Sequence, residues 1–350
     1  MLLFYALSLH SKEVCIENFN KKICANFQIM SSVIVKTKLS KSRLGAKIKK
    51  PFKQIAFLED SNLFLIDTNN SLLYAKELSS KEFVIYAQPN ILQQKENLKR
   101  KVQDITATYN LKNIWKKSRG EGIKIAIIDD GFNLNHEDLK DVNIAFEYDV
   151  EQKRLNSSPK VSIDRHGTSV AGIIFAQHNN IGIDGIAPNA EFIAIRQVSN
   201  VTSETILAFT IAYLAKADVI NCSWQSPLLL EPIYDVIIDI VKRGRKGKGT
   251  AVVFAAGNNA KKILVKTTEA SIPEVVVVAA TQKYSNYGKF VDFTLTSGIK
   301  TTQKNTYGFF GGTSATAPII SGLLALKMSV NKDLATKKII KKLKEDLYER

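Results

Sequence analysis

Four polar residues of the types that catalyse acyl transfer lie beside segments with the pattern of strands or helices. Asp129 directly follows the apolar run 123–128, and Asn258 directly follows another predicted strand. His166 lies at the start of a predicted helix, and Ser314 lies just before a second, apolar helix. In acyl transfer an imidazole takes the proton of an attacking hydroxyl, a carboxylate orients the imidazole, and an amide stabilises the oxyanion. The four residues together could therefore catalyse that reaction.

Each of these residues also has an ordinary structural interpretation. Asp129 and Asn258 could be turn residues, and His166 could be an exposed residue at a helix start. Ser314 could cap the helix that follows it, in whose first turn we expect Pro318. Singly, each position stays open between the two interpretations, and only the combination favours chemistry.

The segments that must position these residues alternate between strands and helices. Near-continuous apolar strands, such as 123–128 and 250–256, alternate with helical patterns, such as 168–176 and 317–328. This alternation predicts an α/β fold with a parallel sheet that is covered on both faces. Ligands of such folds bind beyond the carboxyl ends of the strands, where Asp129 is expected.

A smaller unit with a different pattern precedes this region. It has one helical segment and three strand-like segments, which predict an α+β domain of residues 31–94. The strand patterns lie at 32–38, 62–67 and 81–86. A domain of that size is marginally stable alone, so we expect it to dock on another domain. Residues 95–120, rich in Lys, Gln and Asn, are interpreted as a linker that contains a short helix.

Three sequence blocks resemble, in order, the signature motifs of the subtilisin-like serine proteases. They read IAIIDDG at 125–131, HGTSVAG at 166–172 and GGTSATAP at 311–318. The order Asp, His, Ser along the chain is also the order of that family. The resemblance extends over roughly residues 105–345. It implies a three-layer, parallel-sheet catalytic domain at residues 121–350.

The resemblance also implies an activity and a set of catalytic residues. The chain would be a serine endopeptidase that hydrolyses peptide bonds through an acyl-enzyme. Asp129, His166 and Ser314 would form its catalytic triad, and Asn258 would contribute to the oxyanion hole. Protein or peptide substrates are implied, and the chemistry requires no cofactor.

The segment 219–225 is similar to the family segment that pairs with extended substrate backbone, so Ser223, Trp224 and Gln225 are implied substrate-binding residues. Gln225 stands where the family normally has Gly, which predicts a narrower or more polar specificity pocket. Asp130 replaces the usual Thr or Ser, and its carboxylate could raise the pKa of the catalytic His or simply face away. Ala315 replaces the usual Met behind the nucleophile.

The N-terminal domain ends in FVIYAQPN at 83–90, which is similar to the end of the family's inhibitory propeptide. The resemblance implies a self-processing zymogen whose own propeptide is a partner, cleaved between Asn90 and Tyr109. Residues 1–30 are interpreted as a signal or leader, because an apolar N-terminal stretch precedes a passable cleavage triplet. We expect a secreted or periplasmic protein.

The resemblance to this family suggests calcium as a possible structural metal. Asp138 matches a position that ligates calcium in some relatives, and residues 179–188 resemble a shortened calcium loop. Calcium needs six to eight oxygens, and this segment supplies few carboxylates, so a structural calcium stays open. Zinc is not supported, because His10, His136 and His178 lack a ligand spacing.

The three cysteines are too few for a disulfide framework. Cys15 and Cys24 could pair in an oxidising compartment, or both could stay reduced. Cys222 lies in an apolar run and is expected to be a buried thiol.

The net charge of +16 is concentrated outside the predicted catalytic core. It divides into +12 over residues 1–119, zero over 120–326 and +4 over 327–350. The stretch 36–53 has eight Lys and Arg and no acid, but aromatic residues are sparse there, which favours a solvated face over nucleic-acid binding. The sequence has no run of 18 apolar residues, so we expect no membrane span.

The alternative function is a non-catalytic binding protein on a protease scaffold. The departures from the family pattern at Asp130 and Gln225 motivate it.

Overall fold

The computed structural model divides into two compact units between Leu98 and Lys99. The residues that the structure describes are 14–18, 21–25, 28–58, 60–92, 102–199 and 201–348. Of residues 1–30, interpreted as a signal or leader, residues 1–13 lie outside this described part, whereas 14–18, 21–25 and 28–30 belong to strands.

The first unit begins with a two-stranded hairpin. Strands β1 (Val14–Asn18) and β2 (Lys21–Ala25) pair antiparallel, with Cys15 opposite Cys24. The two cysteines form a disulfide. Of the two states that the sequence leaves open, the structure therefore has the paired one.

The rest of the first unit is a four-stranded antiparallel sheet with two helices. Its elements are β3 (Gln28–Thr37), α1 (Lys41–Lys47), β4 (Phe52–Leu58), β5 (Ser61–Asp67), α2 (Ser71–Ser79) and β6 (Tyr86–Leu92). The strands lie in the order β4-β5-β3-β6, which is the ferredoxin-like β-α-β-β-α-β arrangement. Alternate residues of the strands, such as Val33, Val35 and Phe64, face the helices and form the core.

The strand expected at 81–86 is wrong in position. Residues 81–85 form turns, in which the Val84 N–H donates to the Lys81 carbonyl, and β6 begins at Tyr86. Pro89 lies inside β6, at the edge of the sheet, where a residue without an N–H is tolerated.

The second unit is built on a seven-stranded sheet in which every neighbouring pair is parallel. The short helices α3 (Ile105–Thr108) and α4 (Leu111–Ile114) precede it. The seven strands are β7 (Lys124–Asp129), β8 (Ile144–Asp149), β9 (Glu191–Arg196), β10 (Val219–Cys222), β11 (Ala251–Ala255), β12 (Val276–Ala280) and β13 (Phe293–Leu295). The sheet order is β13-β12-β11-β10-β7-β9-β8.

Five longer helices and one hairpin complete the second unit. They are α5 (His166–Phe175), α6 (Thr202–Leu214), α7 (Glu231–Arg243), the hairpin of β14 (Ile299–Gln303) and β15 (Thr306–Phe310), α8 (Thr313–Val330) and α9 (Thr336–Tyr348). Helices α5, α8 and α9 pack on one face of the sheet, whereas α6 and α7 pack on the other.

Burial on both faces follows from the period of two in the strands. In β7, Ile125 and Ile127 join the core of the α8 face, whereas Ala126 and Ile128 join the core of the α6 face. The predicted three-layer α/β architecture is thereby confirmed. Ile105 and Leu111, in the segment interpreted as a linker, are buried in the α8-side core.

Helix α8 is long and apolar enough to cross a bilayer, the one such helix in the described part of the chain. However, 78 % of its apolar window is buried inside the unit. Its composition therefore fits a core helix between the sheet and the helices α5 and α9.

Strand β7 lies in the middle of the sheet, between β9 and β10. The chain leaves β7 toward one side of the sheet, where it forms β8 and β9, and then returns to the other side to form β10. Such a reversal leaves a crevice beyond the carboxyl ends of the two adjacent strands. Asp129 and Cys222 are the last residues of these strands, so this edge is the expected place for a site.

Candidate active site

Asp129 and His166 form a close pair at this edge of the sheet. Asp129 is 4 % exposed, and His166 is the first residue of α5. The His166 Nδ1 atom lies 2.8 Å from Asp129 Oδ1 and 3.0 Å from Oδ2. A carboxylate can only accept, so Nδ1 carries the proton and donates it, which leaves Nε2 as an acceptor.

The surroundings of His166 favour its protonated form. Burial of the ring disfavours the charge, but the charge and hydrogen bond of Asp129, with the nearby charge of Asp130, outweigh burial and raise the pKa of His166. The Phe310 ring packs edge-on against the imidazole, with 5.1 Å between the ring centres. An imidazole in this setting is suited to accept a proton and hold it beside a carboxylate.

Close backbone approach at Gly167 makes the Asp129–His166 pair possible. A Cβ atom at Gly167 would lie 2.6 Å from the Gly131 carbonyl and 3.0 Å from the Asp129 Cβ. Gly167 therefore allows α5 to approach β7 closely enough for the pair to form. A Cβ at Gly172 would instead lie 2.2 Å from the Thr302 hydroxyl, so that glycine serves the packing of α5 on β14.

Ser314 lies in the first turn of α8, which begins at Thr313. The expectation that Pro318 belongs to the first turn is wrong, because the helix starts earlier than the apolar pattern indicates and places Pro318 in its interior. An interior proline has no N–H for the carbonyl four residues before it. At Pro318 the carbonyl left without that partner is the one of Ser314.

Ser223, which follows β10, uses this free carbonyl. The Ser223 hydroxyl donates to the Ser314 carbonyl at 3.0 Å, and the Ser314 hydroxyl donates to the Ser223 carbonyl at 2.9 Å. The Ser314 hydroxyl is half-buried. In this structure its hydrogen bond is thus directed to Ser223 and not to His166.

Asn258 presents its amide nitrogen beside the start of α8. Its Oδ1 accepts from the Thr313 N–H at 2.9 Å and from the Thr313 hydroxyl at 3.1 Å. Because these donors need an acceptor, they fix the orientation of the amide. The Asn258 Nδ2 then lies on the Gly312 side, 3.1 Å from the place of a Cβ on that glycine. The exposed Asn258 side chain can therefore donate to a group bound next to Ser314.

Trp224 and Gln225 follow Ser223 and differ in what their side chains contact. The Trp224 indole donates to the Ile128 carbonyl at 2.6 Å and packs on Phe254, on the α6 side of the sheet. A substrate contact of Trp224 would therefore come from its backbone. Gln225 lies against Gly257, where a Cβ would be 2.2 Å from its Nε2, and its Oε1 is buried without a hydrogen-bond partner.

A buried ionic cluster beside the site is not indicated by the sequence motifs. Arg196, at the end of β9, is paired in register with Asp129 and is 5 % exposed. It forms ion pairs with Asp149 at 3.2 Å, Glu151 at 2.9 Å and Asp164 at 3.0 Å. Through Asp164 it fixes the loop that leads into α5. An arginine that ends an otherwise apolar strand is the one signal for this cluster.

Asp138 lies in a separate loop, fully buried. Its Oδ2 accepts from the Ile183 N–H at 3.0 Å, whereas its Oδ1 has no hydrogen-bond partner. A buried carboxylate oxygen without a partner fits one ligand of a hard cation. In the described part of the chain no group of three His, Cys, Asp or Glu side chains is arranged to hold a metal ion, so amide or carbonyl oxygens would have to supply most of the remaining ligands.

The other predicted features lie away from these residues. The His136 Nε2 is 2.8 Å from the Thr306 carbonyl, and the His178 ring packs on Trp115. Both rings have structural contacts, whereas His10 lies outside the described part. Cys222 is a buried free thiol, as expected, and burial raises its pKa.

Comparison with known proteins identifies related sequences. The profile of the Subtilase family matches residues 120–346. The chain is 31 % identical over 288 residues to a thermophilic serine proteinase of Bacillus sp. strain AK1, covering 77 % of this chain and 69 % of that protein. It is 30 % identical over 281 residues to a calcium-dependent protease of Trichormus variabilis, covering 66 % of this chain. The chain spans 42 % of the length of that second relative.

Solved structures with the same fold include two proteases. A cold-adapted subtilisin-like serine proteinase matches with a TM-score of 0.54 and 24 % identity, over 65 % of this chain and 83 % of that one. The MycP3 protease of a type VII secretion system matches with a TM-score of 0.57 and 23 % identity, over 70 % of this chain and 81 % of that one. These structural similarities support the fold. The family profile and the sequence relatives support membership of the family. The chain belongs to the subtilase family of serine proteases.

Proposed function

We propose that the protein is a serine endopeptidase that cleaves peptide bonds through an acyl-enzyme, with Asp129, His166 and Ser314 as its triad. The observation that carries the proposal is the Asp129–His166 hydrogen bond at 2.8 Å, at the sheet edge where α8 presents Ser314. An imidazole whose Nδ1 is held by a carboxylate has its Nε2 free as a general base.

In the proposed reaction the Ser314 oxygen attacks the substrate carbonyl carbon, and its proton passes to the His166 Nε2. The Asn258 Nδ2 donates to the oxyanion that develops, at the positive end of α8. When the tetrahedral intermediate collapses, His166 returns the proton to the leaving amine and the carbon–nitrogen bond breaks. Water then attacks the acyl-enzyme, again with His166 as the base, and regenerates Ser314.

The Ser314 hydroxyl must change its hydrogen bond before it can react. It donates to the Ser223 carbonyl in this structure, and catalysis requires it to donate to the His166 Nε2. A rotation about χ1 between staggered positions moves the hydroxyl without moving the helix. We infer that substrate binding favours this rotation, since the Ser223 carbonyl belongs to the segment that would pair with substrate.

Substrate would bind as an added strand along Ser223, Trp224 and Gln225. The Gln225 side chain lies against Gly257, next to Asn258. In this proposal it narrows the space where a substrate side chain would enter beside the acyl group. We therefore propose a preference for small side chains on the acyl side of the cleaved bond. A peptide library should show this preference in wild type and a broader one in Gln225→Gly.

Residues 31–94, which make up most of the first unit, are proposed to be the inhibitory propeptide of a self-processing zymogen with cleavage between Asn90 and Tyr109. Their ferredoxin-like arrangement gives a small domain with its own core. In this proposal, residues 95–120 connect it to the catalytic domain, residues 121–350, and α3 and α4 of the connecting segment pack in the core of the second unit. The Cys15–Cys24 disulfide supports export to a secreted or periplasmic location, because such bonds persist in oxidising compartments.

Calcium is proposed as a structural ion, held by Asp138 and oxygens of the 179–184 segment. The support is the buried Oδ1 of Asp138, which has no hydrogen-bond partner, and the name of the Trichormus relative. Bound calcium would stabilise this loop and take no part in the chemistry. Millimolar calcium should raise the Tm of the wild type relative to EGTA, and Asp138→Asn should remove that difference.

A non-catalytic binding protein on this scaffold is the second candidate. The observation that favours it is the direction of the Ser314 hydroxyl, toward Ser223 and away from His166. A protein of this kind would bind peptides along the same edge without cleaving them. It would also leave its own chain uncut.

Mass spectrometry of purified wild type beside Ser314→Ala tests the proposal. We expect cleavage between residues 90 and 109 in the wild type and none in Ser314→Ala, because losing a triad nucleophile lowers turnover by roughly six orders of magnitude. Ser203→Ala, which changes an exposed serine of α6, is the matched control and should process normally. Normal processing of Ser314→Ala, expressed alone, would refute the proposed triad.

A further inference from the structure

Asp130 directly follows Asp129 and turns toward the start of α5. Its Oδ2 accepts from the backbone N–H groups of Arg165 and His166, both at 3.0 Å. Its Oδ1 accepts from the Gly167 N–H at 2.7 Å. One carboxylate thus bonds three consecutive backbone amides at the helix start. Of the two possibilities open from the sequence, Asp130 does not face away from the site.

These three amides are groups that the helix itself cannot satisfy. The first N–H groups of a helix have no intrahelical partner, and a negative charge is favourable beside them. Arg165, the residue that precedes α5, makes no capping bond with its side chain. Asp130, the residue after strand β7, therefore caps α5. An ordinary cap would come from the side chain of the residue that precedes the helix.

Two adjacent carboxylates then bind one histidine, one at its ring and the other at its backbone N–H. Asp129 accepts from the imidazole Nδ1 of His166, and Asp130 accepts from the backbone N–H of the same residue. The two like charges oppose this arrangement. Burial and the neighbouring charge of Asp129 raise the pKa of Asp130, against the hydrogen bonds from Gly167 and His166. The amide hydrogen bonds are what stabilise its ionised form.

We propose that Asp130 is a positioning residue of the reaction, which fixes the backbone of residues 165–167 so that the His166 ring stays aligned with Asp129. The inference rests on the proposed function, since it assigns His166 to the triad. A serine or threonine at this position has one hydroxyl oxygen and could not bond three amides at once. In this proposal, Asp130 in place of the usual Ser or Thr holds the catalytic His166 more firmly.

The negative charge of Asp130 has a second effect, on the pKa of His166. In the described part of the chain, the titratable groups that face the ring are Asp129 and Asp130 at the end of β7, while β15 contributes the uncharged Phe310. Arg165, next to His166 on the same segment, is exposed. Removing the Asp130 charge should therefore lower the pKa of His166, whether or not the amide bonds are kept.

Two substitutions separate the hydrogen bonds from the charge. Asp130→Ala removes both, whereas Asp130→Asn removes the charge and keeps an amide oxygen that can cap the helix. We expect kcat for peptide hydrolysis to fall about ten- to a hundredfold in Asp130→Ala, with KM within about twofold, because small misplacements of a catalytic group have effects of that size. Asp130→Asn should recover part of kcat, because its single acceptor oxygen can bond two of the three amides. Asp141→Ala, at an exposed aspartate, is the control and should match wild type.

Hydrogen exchange provides a readout that is independent of activity. In a Ser314→Ala background, the amides of residues 165–167 should exchange fastest with Asp130→Ala and at an intermediate rate with Asp130→Asn. If Asp130→Ala fails to fold, Asp130→Ser replaces it, because one hydroxyl can keep at most part of the cap. We then expect an intermediate loss of kcat and intermediate exchange.

Three results would overturn the inference. They are an unchanged kcat in Asp130→Ala, an equal loss in Asp130→Ala and Asp130→Asn, and a change confined to KM. The equal loss would assign the effect to charge, and the KM change would make Asp130 a substrate contact. An active Ser314→Ala would instead refute the proposed triad, so the two failures are distinguishable. With Ser314→Ala inactive and Asp130→Ala fully active, only the positioning role is lost.

Discussion

Ser223 and Ser314 are joined by two hydrogen bonds of opposite direction, each from the hydroxyl of one residue to the carbonyl of the other. The first of these bonds depends on Pro318, which leaves the Ser314 carbonyl without its helical donor. The end of β10 is thereby fastened to the first turn of α8. The proposed nucleophile is held by its backbone, and its hydroxyl can leave the Ser223 carbonyl by rotation about χ1.

A buried relay orients the Ser223 hydroxyl for this contact. The Ser321 hydroxyl donates to the Asn221 Oδ1 at 2.9 Å, and the Asn221 Nδ2 donates to the Ser223 hydroxyl oxygen at 3.0 Å. Because that oxygen already accepts from Asn221, its own proton is directed toward the Ser314 carbonyl. The relay is buried, and such networks are rigid when every member has a partner.

Ser223→Ala should weaken both stability and turnover. It removes the donor to the Ser314 carbonyl and leaves that oxygen without a partner, which costs about 1–3 kcal/mol in the free energy of unfolding. We expect kcat to fall, because the first turn of α8 is less firmly held. Urea unfolding and peptide hydrolysis measure the two effects, with Ser203→Ala as the control. Unchanged values of both would show that the bond from the Ser223 hydroxyl contributes neither to stability nor to turnover.

Asn258→Ala should lower kcat by about two to three orders of magnitude while KM changes little, because the amide would stabilise charge that exists only in the transition state. Asn259→Ala is a matched control, since Asn259 is the exposed neighbour of Asn258. Steady-state kinetics on a peptide substrate measures both variants. An effect of Asn258→Ala on KM alone would place the amide in substrate binding and not in the oxyanion hole.

The acid limb of the pH profile should reflect the raised pKa of His166. Below that pKa the ring is protonated and cannot accept the Ser314 proton, so kcat/KM should fall as pH is lowered through a value above the usual 6.5. In Asp130→Asn the limb should move to lower pH, because one of the charges that raise the pKa is absent. A limb at or below 6.5 in the wild type would contradict the arrangement described for His166.

Arg196→Met should destabilise the second unit by about 3–5 kcal/mol, because it leaves buried acids without their cation. Asp149 and Asp164 are 0 % and 5 % exposed, so water cannot replace the guanidinium. Arg243→Met is the control, since it removes an exposed ion pair with Asp239 that solvent screens and should leave stability nearly unchanged. Denaturant unfolding measures the difference, and an equal effect of the two substitutions would contradict the argument.

The residues with a motif around them could be predicted from the sequence, and those positioned by tertiary contacts could not. Asp129, His166 and Ser314 each lie at or next to an end of a regular element, so their position at one edge of the sheet follows from the alternation of strands and helices. The direction of Asp130 depends on how closely Gly167 lets α5 approach β7. That distance is absent from any local pattern.

Helix boundaries were predicted less well for a similar physical reason. The apolar pattern of α8 begins several residues after the helix does, because its first turn is polar and borders the site. The role of Pro318 became visible only with the true start at Thr313. Arg196 was missed because a charged residue in a buried strand is stabilised by acids from distant segments.

Labelling with a fluorophosphonate tests the central claim most directly, because the reagent reacts with a serine only when a base and an oxyanion hole activate it. The protein should be folded and freed of residues 31–94, so that the proposed propeptide does not compete. We predict one adduct, on Ser314, which is lost in Ser314→Ala and slowed in Asn258→Ala. A folded sample with no adduct on Ser314 would contradict the account and favour a binding protein on a protease scaffold.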